Sequence, residues 1–276
     1  MKAETEVRGG ASPCRRPDSR GWRLAAAQER GTSHETKGEV CQDAYGLAMP
    51  SPEVLIIAIA DGAGSAKYAE VGAGIAASRG VAQLCARLAE EGADFGDAEL
   101  KNILREGLVA AREAVEAGAA ALDAGARDLA TTLILIIARP ELVAVSQIGD
   151  GATVIANEEG EIIALTSPPV GEYVNEATFL TSSDALSTAQ TILWRGRAAQ
   201  LAAFSDGLQL LCLKWPECLP HEAFFAPLFK FIRTAADEVQ AESELVSFLG
   251  SERIKELTDD DLTLVLASVT DSSGGR

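Results

Sequence analysis

Four stretches of this chain bring an aspartate to the edge of an apolar run. Ile56-Ile57-Ala58-Ile59-Ala60-Asp61-Gly62-Ala63-Gly64 is β-branched and ends on an acid and a glycine turn. Val40-Cys41-Gln42-Asp43-Ala44-Tyr45 precedes it, and Leu201-Ala202-Ala203-Phe204-Ser205-Asp206-Gly207 and Asp259-Asp260-Asp261-Leu262-Thr263-Leu264-Val265 follow. A short buried strand delivers its last side chain to a fixed point at the end of a sheet. Carboxylates delivered to one point repel by roughly 4 kcal/mol per close pair at a protein-like dielectric, so they hold either protons or a cation. Hard oxygen ligands of this kind suit magnesium or manganese. Asp-Gly is also the dipeptide of an ordinary turn. Here Asp61-Gly62, Asp150-Gly151 and Asp206-Gly207 each follow an apolar, strand-like run. The repetition favours a shared centre, although hairpins make the same pattern.

The composition bounds what such a centre could serve. The 276 residues suit one large domain or two small ones, and 47% apolar content is enough for a sizeable core. A formal net charge of −17 disfavours nucleic acid and anionic membrane as partners. It does not forbid a phosphorylated substrate, because a bound cation reverses the local sign. Cys14, Cys41, Cys85, Cys212 and Cys218 are odd in number and contain no CxxC pair, and the only histidines are His34 and His221. Zinc is therefore a poor candidate, and reduced thiols in a cytoplasm are expected. No apolar run reaches the length of a membrane span, and the N-terminus lacks the apolar core of a signal peptide.

The elements that must position the acids can be read in order. Residues 1–20 are polar, with Gly9-Gly10, Pro13 and Pro17, and read as a disordered tail. Cys14 and Arg20 stand at the spacing of thiol-dependent phosphatases, but no strand precedes the cysteine and no glycine lies between them, so the spacing is read as chance. Residues 21–272 read as one domain. Strands are expected over Trp22 to Gln28, Val54 to Ala60, Thr131 to Ala138, Leu142 to Ile148, Thr153 to Asn157, Ile162 to Leu165, Thr191 to Arg195, Leu201 to Phe204 and Leu262 to Ser268. Helices are expected over Ala66 to Glu91, Ala98 to Leu122 and His221 to Phe248, with Phe224, Phe225, Phe229 and Phe231 as core. Gly31 to Gly38 reads as a polar loop carrying His34 and Lys37. Gly72-x-Gly74-x-x-Ala77 mimics a dinucleotide fingerprint but falls inside a helix, where small residues let it pack closely. Residues 166–188 form a long polar excursion of the kind that is often functional. The order is α+β, with helices covering an antiparallel sheet system.

Taken together, Gln42-Asp43-Ala44, Ala60-Asp61-Gly62-Ala63-Gly64, Gly149-Asp150-Gly151, Ser205-Asp206-Gly207-Leu208 and Asp260-Asp261-Leu262-Thr263-Leu264 resemble, in order and interval, the motifs of the metal-dependent serine/threonine protein phosphatases of type 2C, in their bacterial branch. The resemblance covers roughly residues 22–270, and Asn175 to Thr181 looks like a feature of that family's flap region. It implies a four-layer αββα sandwich, two central antiparallel sheets flanked by helix pairs, with metals at one end. By carry-over, Asp61 bridges two manganese or magnesium ions, Gly62 offers its carbonyl to one, Asp206 and Asp260 bind the other, and Asp43 acts close by, directly or through water. Asp150 matches the motif that, with Asp206, holds a weaker third ion. Asp261 stands where the family often has Asn and is expected behind the ligands. The catalytic set is thus Asp43, Asp61, Asp206 and Asp260.

The implied reaction is hydrolysis of phosphoserine or phosphothreonine on proteins by a hydroxide bridging two ions. The implied partner is a phosphorylated protein, such as a serine/threonine kinase or its target. Three departures stand out. Gln42 replaces an acid, Gly38 replaces a phosphate-binding arginine, and Ala63 replaces the histidine of eukaryotic members. Lys37 or His34 is expected to take over phosphate binding, without the bidentate fork of arginine. Gln42 and Gly38 also leave open a weak or inactive binding protein on the same fold.

Overall fold

The computed structural model describes residues 21–90, 95–169 and 178–270. The expected tail at 1–20 and the segment from Asn175 to Ala177 lie outside them. The chain opens with β1 (Gly21–Glu29), a short helix α1 (Thr32–Lys37), and the pair β2 (Asp43–Ser51) and β3 (Val54–Asp61). Two long helices follow, α2 (Ala69–Glu90) and α3 (Asp97–Ala121). Next come β4 (Leu133–Arg139), β5 (Leu142–Ile148), β6 (Ala152–Asn157), β7 (Ile162–Thr166), the single turn α4 (Ala185–Thr188), β8 (Gln190–Arg195) and β9 (Ala198–Phe204). After α5 (Gln209–Cys212), the two-residue strands β10 (Leu213–Lys214) and β11 (Leu219–Pro220) make a small hairpin. Helices α6 (Glu222–Thr234), α7 (Glu238–Leu249) and α8 (Glu252–Lys255) lead to the closing strand β12 (Leu262–Thr270).

Ten of these strands form two antiparallel five-stranded sheets, ordered β1-β12-β9-β6-β7 and β2-β3-β4-β5-β8. Helix propensity and apolar spacing put α2 and α3 on the second sheet, and α6 and α7 on the first. Both faces of each sheet are therefore buried, which explains the continuous apolar runs. In β3, Leu55, Ile57 and Ile59 face the opposing sheet, while Ile56, Ala58 and Ala60 face α2 and α3. In β12, Val265 and Ala267 join the inter-sheet core, while Leu264 and Leu266 meet Phe225, Phe229 and Leu245 of α6 and α7. This is the expected αββα sandwich, and the phenylalanines of α6 are core.

Three local expectations are corrected. Gly31 to Gly38 is not an open loop, because residues 32–37 close a helix. Gly38 ends it with a left-handed φ of 72°, and its N–H donates to the Glu35 carbonyl at 3.1 Å. The tract from His221 to Phe248 is two helices, because Asp237 caps a new one by accepting from the Gln240 N–H at 3.0 Å. The strand expected from Thr131 begins at Leu133, because Thr131 is engaged elsewhere.

Gly72 shows why the fingerprint mimic is a packing device. A Cβ on Gly72 would lie 2.2 Å from the Leu129 carbonyl oxygen, so α2 presses on the backbone that precedes β4 rather than on the sheet itself. Gly74, two residues on, faces open space. Gly72→Ala should therefore destabilise by about 1–3 kcal/mol through overpacking, whereas Gly74→Ala should be neutral or slightly stabilising from helix propensity alone. Thermal melts of the two variants check this, and equal melting temperatures would refute the close-contact account.

Candidate metal centre

Antiparallel strands alternate in direction, so starts and ends of neighbours meet at the same edge. Asp61 closes β3 and Asp43 opens β2, and the two are register partners. On the other sheet Asp206 follows β9 and Asp260 precedes β12, its hydrogen-bonded neighbour. Asp150 lies in the crossing from β5 to β6, where the chain changes sheet. The expectation that each acid ends a strand fits Asp61 and Asp206; Asp43 and Asp260 reach the same edge from the start of theirs. A cleft of about 160 Å³ opens there, lined by Asp61, Asp150, Asp206 and Asp260 together with His34 and Phe179. Asp61, Asp150 and Asp206 each offer a carboxylate oxygen within 4.8 Å of the others.

The backbone carrying these acids is clamped. Asp61 N–H donates to Thr132 Oγ1 at 3.0 Å, and its carbonyl accepts from Thr132 N–H at 2.8 Å and Thr131 Oγ1 at 2.9 Å. The Asp150 carbonyl accepts from Gln209 Nε2 at 2.9 Å, and the Gly151 carbonyl from Gln147 Nε2 at 2.6 Å. Asp43 is buried, and its Oδ2 accepts from the Ser205 and Thr263 hydroxyls, both at 2.7 Å, while its Oδ1 is buried without a partner. The glycines after the acids make room. Positive φ occurs at Gly38, Gly149, Gly160 and Gly196, not at Gly62, Gly151 or Gly207. A Cβ on Gly62 would sit 2.7 Å from the Gln42 carbonyl, one on Gly151 2.6 Å from that of Phe204, and one on Gly207 2.1 Å from that of Asp261. The Asp-Gly pairs are thus places of close backbone approach, not left-handed turns.

Crowding and burial act on the acids in one direction. Loss of water, and then neighbouring carboxylates, push Asp43 up to about 7 despite its two hydroxyl donors. Asp206 is pushed up to about 6 by burial and by Asp150 and Asp260. Asp61 is raised well above the usual carboxylate range by burial and by Asp43 and Asp206. Burial likewise raises Asp150 and Asp260. Without a cation, these groups keep protons that solvated carboxylates would lose. Acids on one cleft, an orphaned buried oxygen on Asp43 and oxygen-only donors fit divalent magnesium or manganese.

The two basic residues expected at phosphate separate. His34 lines the cleft, is buried, and rests its Nδ1 2.9 Å from Asp261 Oδ2, a close polar contact out of hydrogen-bond alignment. Lys37 stands exposed at the last turn of α1, away from the cleft lining. Asp261 also lines the cleft, but both its oxygens are engaged by the scaffold: they accept from Gly31 N–H at 2.7 Å and Gln42 N–H at 2.5 Å. Gln42 itself is buried, with Oε1 unpartnered. Sequence reasoning missed Thr131, Thr132, Ser205, Thr263, Gln147 and Gln209, whose roles are to hold backbone or a carboxylate in place. Their one signal was adjacency to the acidic motifs.

A family model described as protein phosphatase 2C matches residues 30–250. Serine/threonine-protein phosphatase 3 of Escherichia coli K12 is 36% identical over 253 residues, 89% of this chain and 98% of that protein. The structure of the S. agalactiae serine/threonine phosphatase superposes with a TM-score of 0.64 at 16% identity, covering 90% of this chain and 100% of that one. The catalytic domain of the serine/threonine protein phosphatase PstP, in complex with two manganese ions, gives 0.58 at 19% identity, covering 92% and 100%. At such identities the two structures speak for the fold.

The raised acids make a stability prediction for the metal-free protein. An aspartate whose folded pKa lies above its unfolded value stabilises the fold at low pH and ceases to do so as pH rises through the folded value. For Asp206 and Asp43 that window ends near 6 and 7. In chelator, the melting temperature should fall as pH rises from about 5 to about 8, and saturating manganese should restore it most at the upper end. A melting temperature in chelator that rises over this range would contradict the crowded-carboxylate account.

Proposed function

This chain belongs to the protein phosphatase 2C family, and we propose that its acidic cleft is the active site of a manganese- or magnesium-dependent enzyme that hydrolyses phosphoserine and phosphothreonine on proteins. The observation that carries this reading is the convergence of Asp61, Asp150 and Asp206, from both sheets and the crossing between them, within 4.8 Å. Asp61 would be a ligand common to two ions, with the Gly62 carbonyl on one and Asp206 and Asp260 on the other. Asp43 would act close by, directly or through water, and Asp150 with Asp206 would hold a weaker third ion. The ions supply Lewis acidity, which neutralises charge on the phosphoryl group and makes water acidic enough to attack phosphorus.

The chain's own residues keep these ligands rigid and leave the attack to water. Thr131 and Thr132 fix the backbone of Asp61, and Ser205 and Thr263 turn the Asp43 carboxylate. Among the described residues no cysteine lines the cleft; Cys41 is pushed up to about 12, chiefly by burial, and Cys212 is fully buried. We assign the phosphoryl oxygens to His34 because it stands on the cleft wall; Lys37 would reach them only along its flexible stem. A serine/threonine kinase or a kinase's target is the substrate we assign. Among the described residues, no helix is long and apolar enough to cross a membrane.

Hydrolysis of p-nitrophenyl phosphate with manganese, with magnesium and with EDTA tests the proposal. Turnover should require metal, and Asp61→Asn or Asp206→Asn should lower kcat about a hundredfold or more while the protein stays folded. Metal-independent turnover, or full activity in both variants, would reject it. The phosphate role is tested separately by the Lys37→Ala, His34→Ala double variant. A higher KM is expected, and unchanged KM and kcat would remove both residues from the site.

A further inference from the structure

Among the described residues lining the cleft, Phe179 is the one large apolar side chain. It is half-buried and belongs to none of the three apolar clusters of the described residues, although its neighbour Leu180 is fully buried in the cluster beneath α2 and α3. The adjoining backbone is pinned. Leu180 N–H donates to the Thr131 carbonyl at 2.7 Å, and Thr131 is the residue that clamps Asp61. Phe179 N–H donates to Ser182 Oγ at 3.2 Å, Ser182 N–H returns to the Phe179 carbonyl at 2.9 Å, and Arg112 Nη1 of α3 donates to the Ser182 carbonyl at 2.8 Å. An aromatic side chain on a pinned backbone, lining the cleft beside the carboxylates and outside the apolar clusters, is placed for a ligand.

We propose that Phe179 is a specificity-determining residue of the phosphatase, its ring meeting an apolar side chain that flanks the phosphorylated residue of a protein substrate. The inference rests on the phosphoprotein reading above and adds the sequence class to it. The negative face of an aromatic ring does not attract phosphoryl oxygens, whereas an aliphatic or aromatic neighbour gains contact area there. Arg112 acts as a positioning residue through Ser182.

Two phosphoserine peptides test this, one flanked by leucine and one by glycine, each assayed with manganese alongside p-nitrophenyl phosphate. The wild type should prefer the leucine peptide about tenfold in kcat/KM, mainly through KM, the size expected of one apolar contact. Phe179→Ala should erase the preference by lowering kcat/KM on the leucine peptide far more than on the glycine peptide, Phe179→Leu should keep part of it, and Arg112→Ala should weaken it. No preference in the wild type, a preference that survives Phe179→Ala, or an equal loss on both peptides would overturn the inference. Turnover of p-nitrophenyl phosphate with neither peptide cleaved would instead overturn the protein-substrate reading, and this inference with it.

Discussion

Repulsion between carboxylates is the constraint on which the rest of this structure depends. Asp43, Asp61, Asp150, Asp206 and Asp260 are gathered at one end of the sandwich, and burial and mutual charge raise them all. Side chains on a loose scaffold would swing apart. Here the backbone of Asp61 is tied by three hydrogen bonds and the inner oxygen of Asp43 by two hydroxyls. Those bonds hold the acids in unfavourable proximity, so the oxygen ligands are already assembled before an ion arrives, and the ion takes the place of the protons they keep without it.

The sheet ends distribute the work. Neighbouring antiparallel strands run in opposite senses, so one edge collects the first residue of one strand and the last of the next. Asp43 opposite Asp61 is the direct case. Asp261, one residue beyond a metal-side acid, also lines the cleft, yet its oxygens gather the amides of Gly31 and Gln42. Adjacent acids thus divide between ligand and scaffold by the donors that meet them.

Much of this was legible in the chain. Continuous apolar runs such as Leu55 to Ala60 marked strands buried on both faces, and the ordered acidic motifs marked the site. What was hidden was non-local. Nothing in Gly31-Thr32-Ser33-His34 announces that a Cβ at Gly31 would strike the backbone of Asp260 at 2.4 Å. Thr131 read as the start of a strand, yet its hydroxyl serves the backbone of Asp61 on the neighbouring strand. Asp-Gly invited a turn reading from local preference, and only the approach of distant carbonyls shows that the glycines answer to crowding. His34 shows the same limit, since its type suggested phosphate but its burial against Asp261 is set by a segment more than two hundred residues away.

The Ser205 and Thr263 hydroxyls that hold Asp43 come from the sheet opposite to the one that carries it. The cleft therefore spans a seam. Were one sheet to slide against the other by a single residue, about 3.3 Å along a strand, the ligands from the two halves would no longer meet. The site thus works as an alignment gauge for the sandwich. Distant substitutions that leave secondary structure intact but shift how the sheets nest would register first as lost metal affinity, before any loss of helix or strand.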